Sequence, residues 1–274
     1  MKKKVGIVGF GKLGNYLVDK ILNKPELNET TELAFVWNRD TKKIPSHLPI
    51  LQELSDFKSK EADIIVEVAH PNITREFGSA FLESADYMCG SPTALGEEAI
   101  RAPLLQQAQK GPYGLYIPKG AMIGLDDIIA ARKTGRVKEL TLTMEKTPDS
   151  IRYAGPKLPK DLDDITERTT VYDGPLGPLC QYAPNNVNTM AVATLASGIE
   201  FDKVRAILTV DPSLNIHKVA ISLKGPEEEG ARFSLDFVKE NPAKKGAVTG
   251  QATYDSFVFS LMAAGGRGSG IHFC

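Results

Sequence analysis

The sequence predicts an α/β protein: an N-terminal domain with a doubly wound parallel sheet, then an α+β domain with a mixed or antiparallel sheet. Two observations carry this prediction. Up to residue 118, short apolar runs alternate with stretches whose apolar residues recur every three or four positions, as strands and helices do. Beyond it, apolar and polar residues alternate singly, as in strands with one solvated face. We assign 1–118 to the first domain and 119–246 to the second, and expect the helical segment 247–274 to pack back on the first.

The first domain is predicted to contain five buried strands, with helices after the first, third and fourth. Each strand is a short apolar run, and strands that alternate with helices imply right-handed crossovers in a parallel sheet. The strands are predicted at 5–9, 32–37, 64–68, 87–90 and 114–117. The helices are marked by Leu13, Leu17 and Ile21, by Ile73, Phe77 and Phe81, and by the stretch 97–110.

The second domain is predicted to contain three alternating strands and two helices before a closing helix. A charged, proline-bearing stretch at 147–164 is expected to form a mobile surface loop, and the glycine-rich 265–270 a flexible tail. The strands are predicted at 140–145, 216–223 and 232–239, and the helices from Leu125 onward, at 186–197 and at 248–262.

Composition excludes several classes of partner and site. The formal net charge of −1 gives no general attraction to nucleic acid or anionic membranes, and no apolar run approaches a membrane span. The three cysteines are distant and odd in number, which favours a reducing, cytoplasmic setting over a disulfide framework. The basic Lys2–Lys4 cluster precedes too short an apolar run for a signal peptide. No cluster of carboxylates or cysteines suggests a metal, so none is predicted.

A glycine pattern follows the first strand and opens the first helix, which is the context of a dinucleotide-binding Rossmann domain. The first glycine permits the tight turn, the second lets the backbone approach a pyrophosphate, and the third lets helix and strand pack closely. The alternative is a glycine-rich turn without a ligand. The predicted cofactor-binding residues here are Gly9, Phe10, Gly11, Lys12, Leu13 and Gly14.

The end of the second strand bears on cofactor choice. NAD sites usually place Asp or Glu there, whereas this chain has Asn38 and Arg39, and Asp40 comes two residues late. Asn38 would not repel a 2′-phosphate and Arg39 could pair with one, although Arg39 could equally be a solvated loop residue. We predict NADP, or dual use, with NAD as the alternative.

The chain resembles the L-aspartate dehydrogenase family, and specifically its animal branch, over essentially its whole length. Seven motifs carry the resemblance: Val36-Trp-Asn-Arg-Asp40, Val66-Glu-Val-Ala-His-Pro71, Gly90-Ser-Pro-Thr-Ala-Leu95, Gly120-Ala-Met-Ile-Gly-Leu-Asp126, Pro184-Asn-Asn-Val-Asn188, Asp211-Pro-Ser-Leu-Asn-Ile-His217 and Glu240-Asn-Pro242. The last four are specific to the family when they occur together in this order.

The resemblance implies oxidative deamination of L-aspartate, a small-molecule substrate, and a homodimer joined through the second domain. It also implies that His217 is catalytic and that Ala121 and Asn188 contact the cofactor. This sequence departs from microbial members after Pro242, where Ala-Lys-Lys-Gly-Ala-Val-Thr-Gly250 replaces a lysine–threonine–serine-like stretch, and in the loop at 147–164. Both departures put the precise substrate in doubt more than the cofactor.

His217 suits proton transfer because the pKa of an unperturbed histidine lies near working pH. Its alternation with Val219, Ile221 and Leu223 predicts that it faces the packed side of its strand, where the alternative is a core histidine. Asn188, like Asn186, could instead cap a helix.

Other candidates are Ala69, His70 and Ser91, which follow the third and fourth strands, at the carboxyl edge where Rossmann ligands lie. His70 could instead cap the next helix. Lys119 and Lys146 are candidates for the substrate carboxylates, with solvated lysines as the alternative. His47 and His272, in loop and tail contexts, are expected to be inert.

Two rival functions remain open. Homoserine dehydrogenases and dihydrodipicolinate reductases share this general architecture, so the substrate could be another small amino or dicarboxylic acid. The segment 211–217, and a second domain without a paired-histidine motif, argue against that alternative. The altered loop at 241–250 leaves open an NADP(H)-binding sensor or interaction protein with little activity.

Overall fold

The computed structural model describes residues 1–158, 161–243 and 246–274 of the chain. It divides into two compact units. Unit 1 comprises Met1–Pro118 together with Tyr254–Cys274, and unit 2 comprises Lys119–Thr253. The chain therefore leaves the first unit once and returns to it at its C-terminal end.

The described part of the chain forms strands and helices with the following bounds. The strands are β1 Lys3–Val8, β2 Thr31–Trp37, β3 Ile64–Glu67, β4 Asp86–Cys89, β5 Gly114–Ile117, β6 Glu139–Lys146, β7 Thr169–Pro175, β8 Arg205–Val210, β9 Ile216–Glu228, β10 Ala231–Pro242 and β11 Gly270–Phe273. The helices are α1 Lys12–Asn23, α2 Pro25–Asn28, α3 Pro71–Leu82, α4 Glu98–Lys110, α5 Leu125–Lys133, α6 Leu176–Tyr182, α7 Asn188–Ser197 and α8 Gln251–Ala263.

Unit 1 is a six-stranded parallel sheet in the order β11-β5-β4-β3-β1-β2. All five predicted strands and the three helices between them are present, which confirms the α/β prediction. The strand order reverses at β1, since β2 lies on one side of it and β3 on the other. In such sheets, ligands bind outside the carboxyl ends of the strands at this switch point.

The core of unit 1 explains why these short runs become strands. Val5, Ile7, Ile64 and Val66 are fully buried, as expected of parallel strands covered on both faces. Helix α1 contributes its predicted apolar face, and α8 adds Phe257, Val258 and Leu261 to the same cluster. Burial of these apolar side chains, at about 1.5–3 kcal/mol each, is the main stabilising contribution to this edge of the unit.

The expectation of a flexible tail at 265–270 is wrong. Beyond Arg267 and Gly268 the chain forms β11, which pairs in parallel with β5. The buried carboxylate of Asp86 accepts from the backbone N–H of Gly114 at 2.8 Å and from that of Gly266 at 2.8 Å, which fixes the tail to the sheet. His272 therefore lies in a strand, where its ring packs against Tyr116 at 4.9 Å between centroids.

Unit 2 is a five-stranded mixed sheet in the order β10-β9-β6-β8-β7. Strands β6 and β8 are parallel and the other neighbouring pairs are antiparallel, which confirms the predicted α+β domain. Side chains along β6 and β9 alternate between buried and partly exposed. Helix α7 is buried over nearly its whole circumference, as a helix apolar on every side should be.

Three elements of unit 2 were not predicted: β7, α6 and β8. The loop predicted at 147–164 is not wholly superficial, since Ser150 and Ile151 are buried; residues 159 and 160 of this prediction lie outside the described residues. The side-chain amide of Asn186 donates to the Ser150 carbonyl at 2.8 Å and accepts from the Arg152 backbone N–H at 2.8 Å. Asn186 therefore ties this stretch to the segment before α7 and does not cap the helix.

Among the described residues, none of the helices combines the length and the apolar character that crossing a bilayer requires.

Candidate functional site

The turn between β1 and α1 has the geometry that its three glycines predict. Gly9 has φ +113°, and a Cβ there would lie 2.9 Å from the backbone of Ala69. A Cβ on Gly14 would overlap the carbonyl oxygen of Gly9, so helix and strand pack closely only because residue 14 is glycine. A Cβ on Gly11 would meet no atom within 4 Å. Two glycines are thus required by packing, and the third borders open space.

The N-terminus of α1 suits an anion. Its N-cap is Gly11, with no side-chain cap, and its first turn contains no acidic residue. The backbone N–H groups and the helix dipole therefore face the open side of the turn without competition from a carboxylate. Lys12 is exposed, whereas Phe10 and Leu13 pack against the core of unit 1. This backbone cradle fits the pyrophosphate of a dinucleotide.

Residues after β2 lie beside that turn. The side-chain oxygen of Asn38 accepts from the backbone N–H of Phe10 at 3.2 Å, and its amide donates to the Asp40 carbonyl at 2.9 Å. Asn38 therefore holds the glycine turn in place. Arg39 is exposed, and the carboxylate of Asp40 lies 3.8 Å from Lys43. The cation nearest the end of β2 is thus accessible to a ligand.

The ends of β3 and β4 are joined by a buried acid that sequence analysis missed. One carboxylate oxygen of Glu67 accepts from the backbone N–H groups of Ala69 at 2.7 Å and His70 at 2.9 Å, and from the Ser91 hydroxyl at 3.0 Å. The other accepts from the Ser91 backbone N–H at 2.9 Å. Three predicted cofactor-binding residues therefore donate hydrogen bonds to the same carboxylate.

Burial dominates the electrostatics of Glu67. Desolvation raises its pKa to about 7, and the hydrogen bonds from Ala69, Ser91 and His70 oppose that rise. Burial also raises the pKa of the neighbouring Cys89 thiol to about 12, and that of Tyr87 well above its usual value. A single acidic residue within the apolar run at 64–68 was the only signal in the sequence.

His70 is the N-cap of α3, as its alternative interpretation supposed. Its ring nitrogen Nδ1 accepts from the Asn72 backbone N–H at 3.2 Å. Desolvation, with smaller contributions from Arg75 and Arg39, lowers its pKa. The ring is half-buried at the carboxyl edge of the sheet, so capping does not prevent it from lining a ligand site.

In unit 2, His217 lies on the packed side of β9 together with Val219, Ile221 and Leu223, as predicted. Its Nε2 is buried and has no hydrogen-bond partner among the residues that the structure describes. Desolvation and the charge of Lys146 lower its pKa to about 4, and a hydrogen bond with the backbone of Ala247 opposes this. The imidazole is therefore neutral at physiological pH.

Lys146 is the main surprise of this unit, because its side chain is buried and the solvated alternative is wrong. Its Nζ donates to the carbonyl of Val248 at 2.9 Å. Desolvation lowers its pKa to about 7. Glu145 pairs with Lys218 across β6 and β9, so the next position of β6 brings Lys146 beside His217. A lysine next to a histidine in a buried site is typical of a functional site rather than of a core.

The end of β10 and residues 246–250 lie beside both side chains. Asn241 is buried and pairs in register with His217, and a Cβ on Gly250 would overlap its side-chain amide. Ala247 and Val248 contact His217 and Lys146 as described above. The departure from the microbial pattern therefore lies beside the candidate catalytic residue, although Lys244 and Lys245 lie outside the described residues.

The remaining predicted residues of unit 2 lie at two turns. Gly120, with φ +55°, and Ala121 form a turn closed by the Met122 backbone N–H donating to the Lys119 carbonyl at 2.8 Å. Ala121 is half-buried, and the side chain of Lys119 is exposed. Asn188 is the first residue of α7, whose N-cap is Val187, so Asn188 does not cap the helix as the alternative supposed.

No group of three or more potential metal ligands occurs among the described residues.

Comparison with known proteins relates both units to dehydrogenases. An aspartate dehydrogenase domain-containing protein of Xenopus tropicalis is 42% identical and matches 100% of this chain and 98% of its own length. An L-aspartate dehydrogenase of Methanosarcina acetivorans is 30% identical over 84% of this chain and 86% of its own. The chain belongs to the aspartate dehydrogenase family.

Two family models match this aspartate dehydrogenase family member. The family described as "Homoserine dehydrogenase, NAD binding domain" matches residues 9–118, and the one described as "Aspartate dehydrogenase, C-terminal" matches residues 127–259. The crystal structure of aspartate dehydrogenase from Thermotoga maritima has a TM-score of 0.68 at 21% identity, covering 96% of this chain and 94% of its own. The predicted family and fold are confirmed, and the first unit contains an NAD-binding domain of the oxidoreductase type.

Proposed function

We propose that this protein catalyses the NAD(P)-dependent oxidative deamination of L-aspartate. The observation that carries the proposal is the buried, neutral imidazole of His217 beside Lys146, in a chain whose other unit contains a dinucleotide cradle. Membership of the aspartate dehydrogenase family supports the choice of substrate.

His217 acts as the base in this proposal. Oxidation of the amino acid removes a hydride from Cα and a proton from the ammonium group, which leaves an iminium product. When bound, the nicotinamide supplies the hydride acceptor. The imidazole accepts the proton: its low pKa keeps it neutral at physiological pH, and the negative charge of bound aspartate would raise that pKa and strengthen the base. Water then adds to the iminium carbon, and ammonia leaves to give oxaloacetate.

Lys146 is proposed to bind a substrate carboxylate. Its Nζ is already directed by the Val248 carbonyl, so little side-chain freedom is lost when an anion arrives. A substrate carboxylate bound beside Nζ would favour the protonated amine and would raise the pKa of Lys146 from about 7. Lys119, exposed before the Gly120 turn, is the candidate for the other carboxylate.

The cofactor is proposed to be NADP, with dual use of NAD. The segment Gly9 to Gly14 would hold the pyrophosphate, and the exposed Arg39 would pair with a 2′-phosphate. Asn38 would act mainly through its bond to the glycine turn. The resemblance adds Ala121 and Asn188 as further contacts, and Ala69, His70 and Ser91 lie at the same edge of the sheet as the glycine turn.

A homodimer joined through unit 2 is part of the proposal. Strand β10 is an edge strand of 12 residues and leaves Val238 57% exposed. A long edge strand with an exposed apolar residue offers unpaired backbone groups and apolar surface to a partner strand. Sedimentation of the purified chain should give twice the monomer mass, and a monomer at all concentrations would remove this part of the proposal.

The experiment is an absorbance assay at the nicotinamide band. A panel of amino acids is paired with NAD and NADP, and oxaloacetate with ammonia is tested in the reverse direction. We expect L-aspartate to be the preferred substrate. A preference for another small amino or dicarboxylic acid would reassign the substrate while keeping the reaction class.

A second candidate function is an NADP(H)-binding sensor with little activity. It is favoured by the segment 246–250, which contacts His217 and Lys146 where the microbial sequence pattern is not kept. Tight binding of a dinucleotide without turnover of any substrate in the panel would support this candidate over the dehydrogenase.

A further inference from the structure

We infer that Glu67 is a positioning residue for the dinucleotide site, holding the loops after β3 and β4 in the arrangement that the cofactor requires. The inference rests on the proposed function, because it concerns the same cofactor. Glu67 itself is fully buried and is not proposed to contact the ligand.

The geometry gives Glu67 control over two loops. Its four accepted hydrogen bonds come from Ala69, His70 and Ser91, at 2.7–3.0 Å. Gly90 packs so tightly on the carbonyl of Glu67 that a Cβ there would overlap the oxygen. The carboxylate thus fixes both the backbone after β3 and the first residues after β4.

Its influence reaches the glycine turn as well. The backbones of Ala69 and Gly9 approach so closely that a Cβ on Gly9 would lie only 2.9 Å from Ala69, so a shift of Ala69 towards the glycine turn would be resisted by contact. Glu67 accepts from Ala69 at 2.7 Å, its shortest bond. One buried side chain therefore connects the ends of β1, β3 and β4.

The ionised acid fits all four hydrogen bonds as they stand. A carboxylate accepts at both oxygens, whereas a protonated acid or an amide must direct a hydrogen towards one of these donors. In the present geometry that hydrogen would oppose the Ser91 N–H, or would lie beside two N–H donors on the other oxygen and require the Ser91 hydroxyl to turn round and accept. Glutamine at position 67 therefore mimics the protonated acid with almost no change of shape.

The surroundings leave few groups that could titrate in the same range. Strand β4 presents Tyr87 and Cys89, both with pKa values raised so far that they stay neutral. Strand β1 presents Val8, which has no charge. The imidazole of His70, whose pKa is lowered and on which Arg75 and Arg39 act, is the remaining titratable neighbour. An experiment on pH dependence must therefore distinguish the titration of Glu67 from that of His70.

The experiment measures the Kd of NADPH by fluorescence from about pH 6 to about pH 8, for the unmodified protein, Glu67→Gln and His70→Asn. The ligand's own titration is common to all three and cancels in ratios of Kd. We expect the unmodified protein to bind about tenfold more weakly as the pH falls through about 7, since the carboxylate then becomes protonated. Glu67→Gln should bind weakly at every pH.

His70→Asn keeps an oxygen that can cap α3 but removes the imidazole, so the pH midpoint should stay where Glu67 sets it. Equal affinity and an equal pH profile for the unmodified protein and Glu67→Gln would overturn the inference while leaving the proposed function intact. No binding of NADPH by the unmodified protein would overturn both. If Glu67→Gln does not fold, loss of the pH dependence in His70→Asn, or its absence in the unmodified protein, overturns the inference.

Discussion

Burial acts on His217 and Lys146 in the same direction but with different chemical results. It lowers both pKa values, to about 4 and about 7. The imidazole is thereby kept neutral over the whole physiological range, whereas the amine is poised between its two forms. At the scale of single residues, the pair combines a neutral imidazole with an amine that a nearby negative charge would hold in its protonated form.

Replacing His217 by Ala should lower kcat by about 10²–10⁴ and leave the Kd of the dinucleotide nearly unchanged, since the base is lost but the cradle is not. Steady-state kinetics and fluorescence titration measure the two quantities. Lys218→Ala is the matched control, because Lys218 is the next residue of the same strand and pairs with Glu240 at the surface. Unchanged turnover in the His217 variant would remove this residue from the mechanism.

Lys146 should make stability depend on pH. Its folded pKa of about 7 is below the unfolded value of 10.5, so between these values the unfolded chain binds one more proton than the folded chain. The free energy of unfolding should therefore rise as the pH increases from about 7 to about 10. Urea unfolding should show a smaller rise for Lys146→Met than for the unmodified protein. The exposed Lys138→Met is the control, and equal slopes in all three would contradict the burial of this charge.

Arg39→Ala should weaken NADP binding by about tenfold or more and NAD binding much less, because only NADP offers a phosphate for a charge-assisted pair. Isothermal titration with both dinucleotides measures the difference. Lys42→Ala removes a nearby exposed cation and should have little effect on either. An equal loss for NAD and NADP in the Arg39 variant would reject the phosphate role.

Side-chain placement was predicted well where it follows a local pattern and poorly where it depends on contacts distant in sequence. The alternation of His217 with Val219 was enough to place it on the packed face. Lys146 alternates in the same way with Leu142 and Met144, a usable signal for the packed face that sequence analysis overlooked. The burial of Glu67 was not predictable in this way, because a charged residue is usually solvated and the partner Ser91 is distant in sequence.

At the scale of elements, different glycines of the turn between β1 and α1 are expected to serve packing and ligand binding. Gly14→Ala should lower the free energy of unfolding by about 2 kcal/mol or more, because the new Cβ would overlap the Gly9 carbonyl. Gly11→Val should change stability by about 0.5 kcal/mol or less, because its surroundings are open, yet strongly weaken dinucleotide binding. Urea unfolding and fluorescence titration test both. Retained binding in Gly11→Val would refute the cradle.

Elements with a strong period were predictable and those defined by distant partners were not. Strands β1 to β5 are apolar runs covered on both faces, so their sequence alone identifies them. Strand β7 is partly exposed along its length and carries Gly174 and Pro175, which weaken any strand signal. Strand β8 is a different case: its apolar run from Ala206 to Val210 was a usable signal that sequence analysis overlooked.

At the scale of the whole molecule, the integrity of unit 1 depends on β11. Removal of residues 265–274 should lower the free energy of unfolding by about 3–5 kcal/mol, since the β5 ladder and a bond to Asp86 are lost. It should also promote aggregation through the exposed edge of β5. Urea unfolding and light scattering measure these effects. Cys274→Ser, which keeps the backbone pairing, is the control, and a truncated chain of normal stability would contradict the role of β11.

Because β11 is separated from β5 by all of residues 119–253, the order of protein synthesis matters for unit 1. A nascent chain still attached to the ribosome presents β5 with one bare edge while the whole of unit 2 is being translated. Domains commonly fold as they emerge, N-terminal first, but this sheet can be completed only by a later segment. During that interval the incomplete sheet is a natural client for chaperones that recognise unpaired strands.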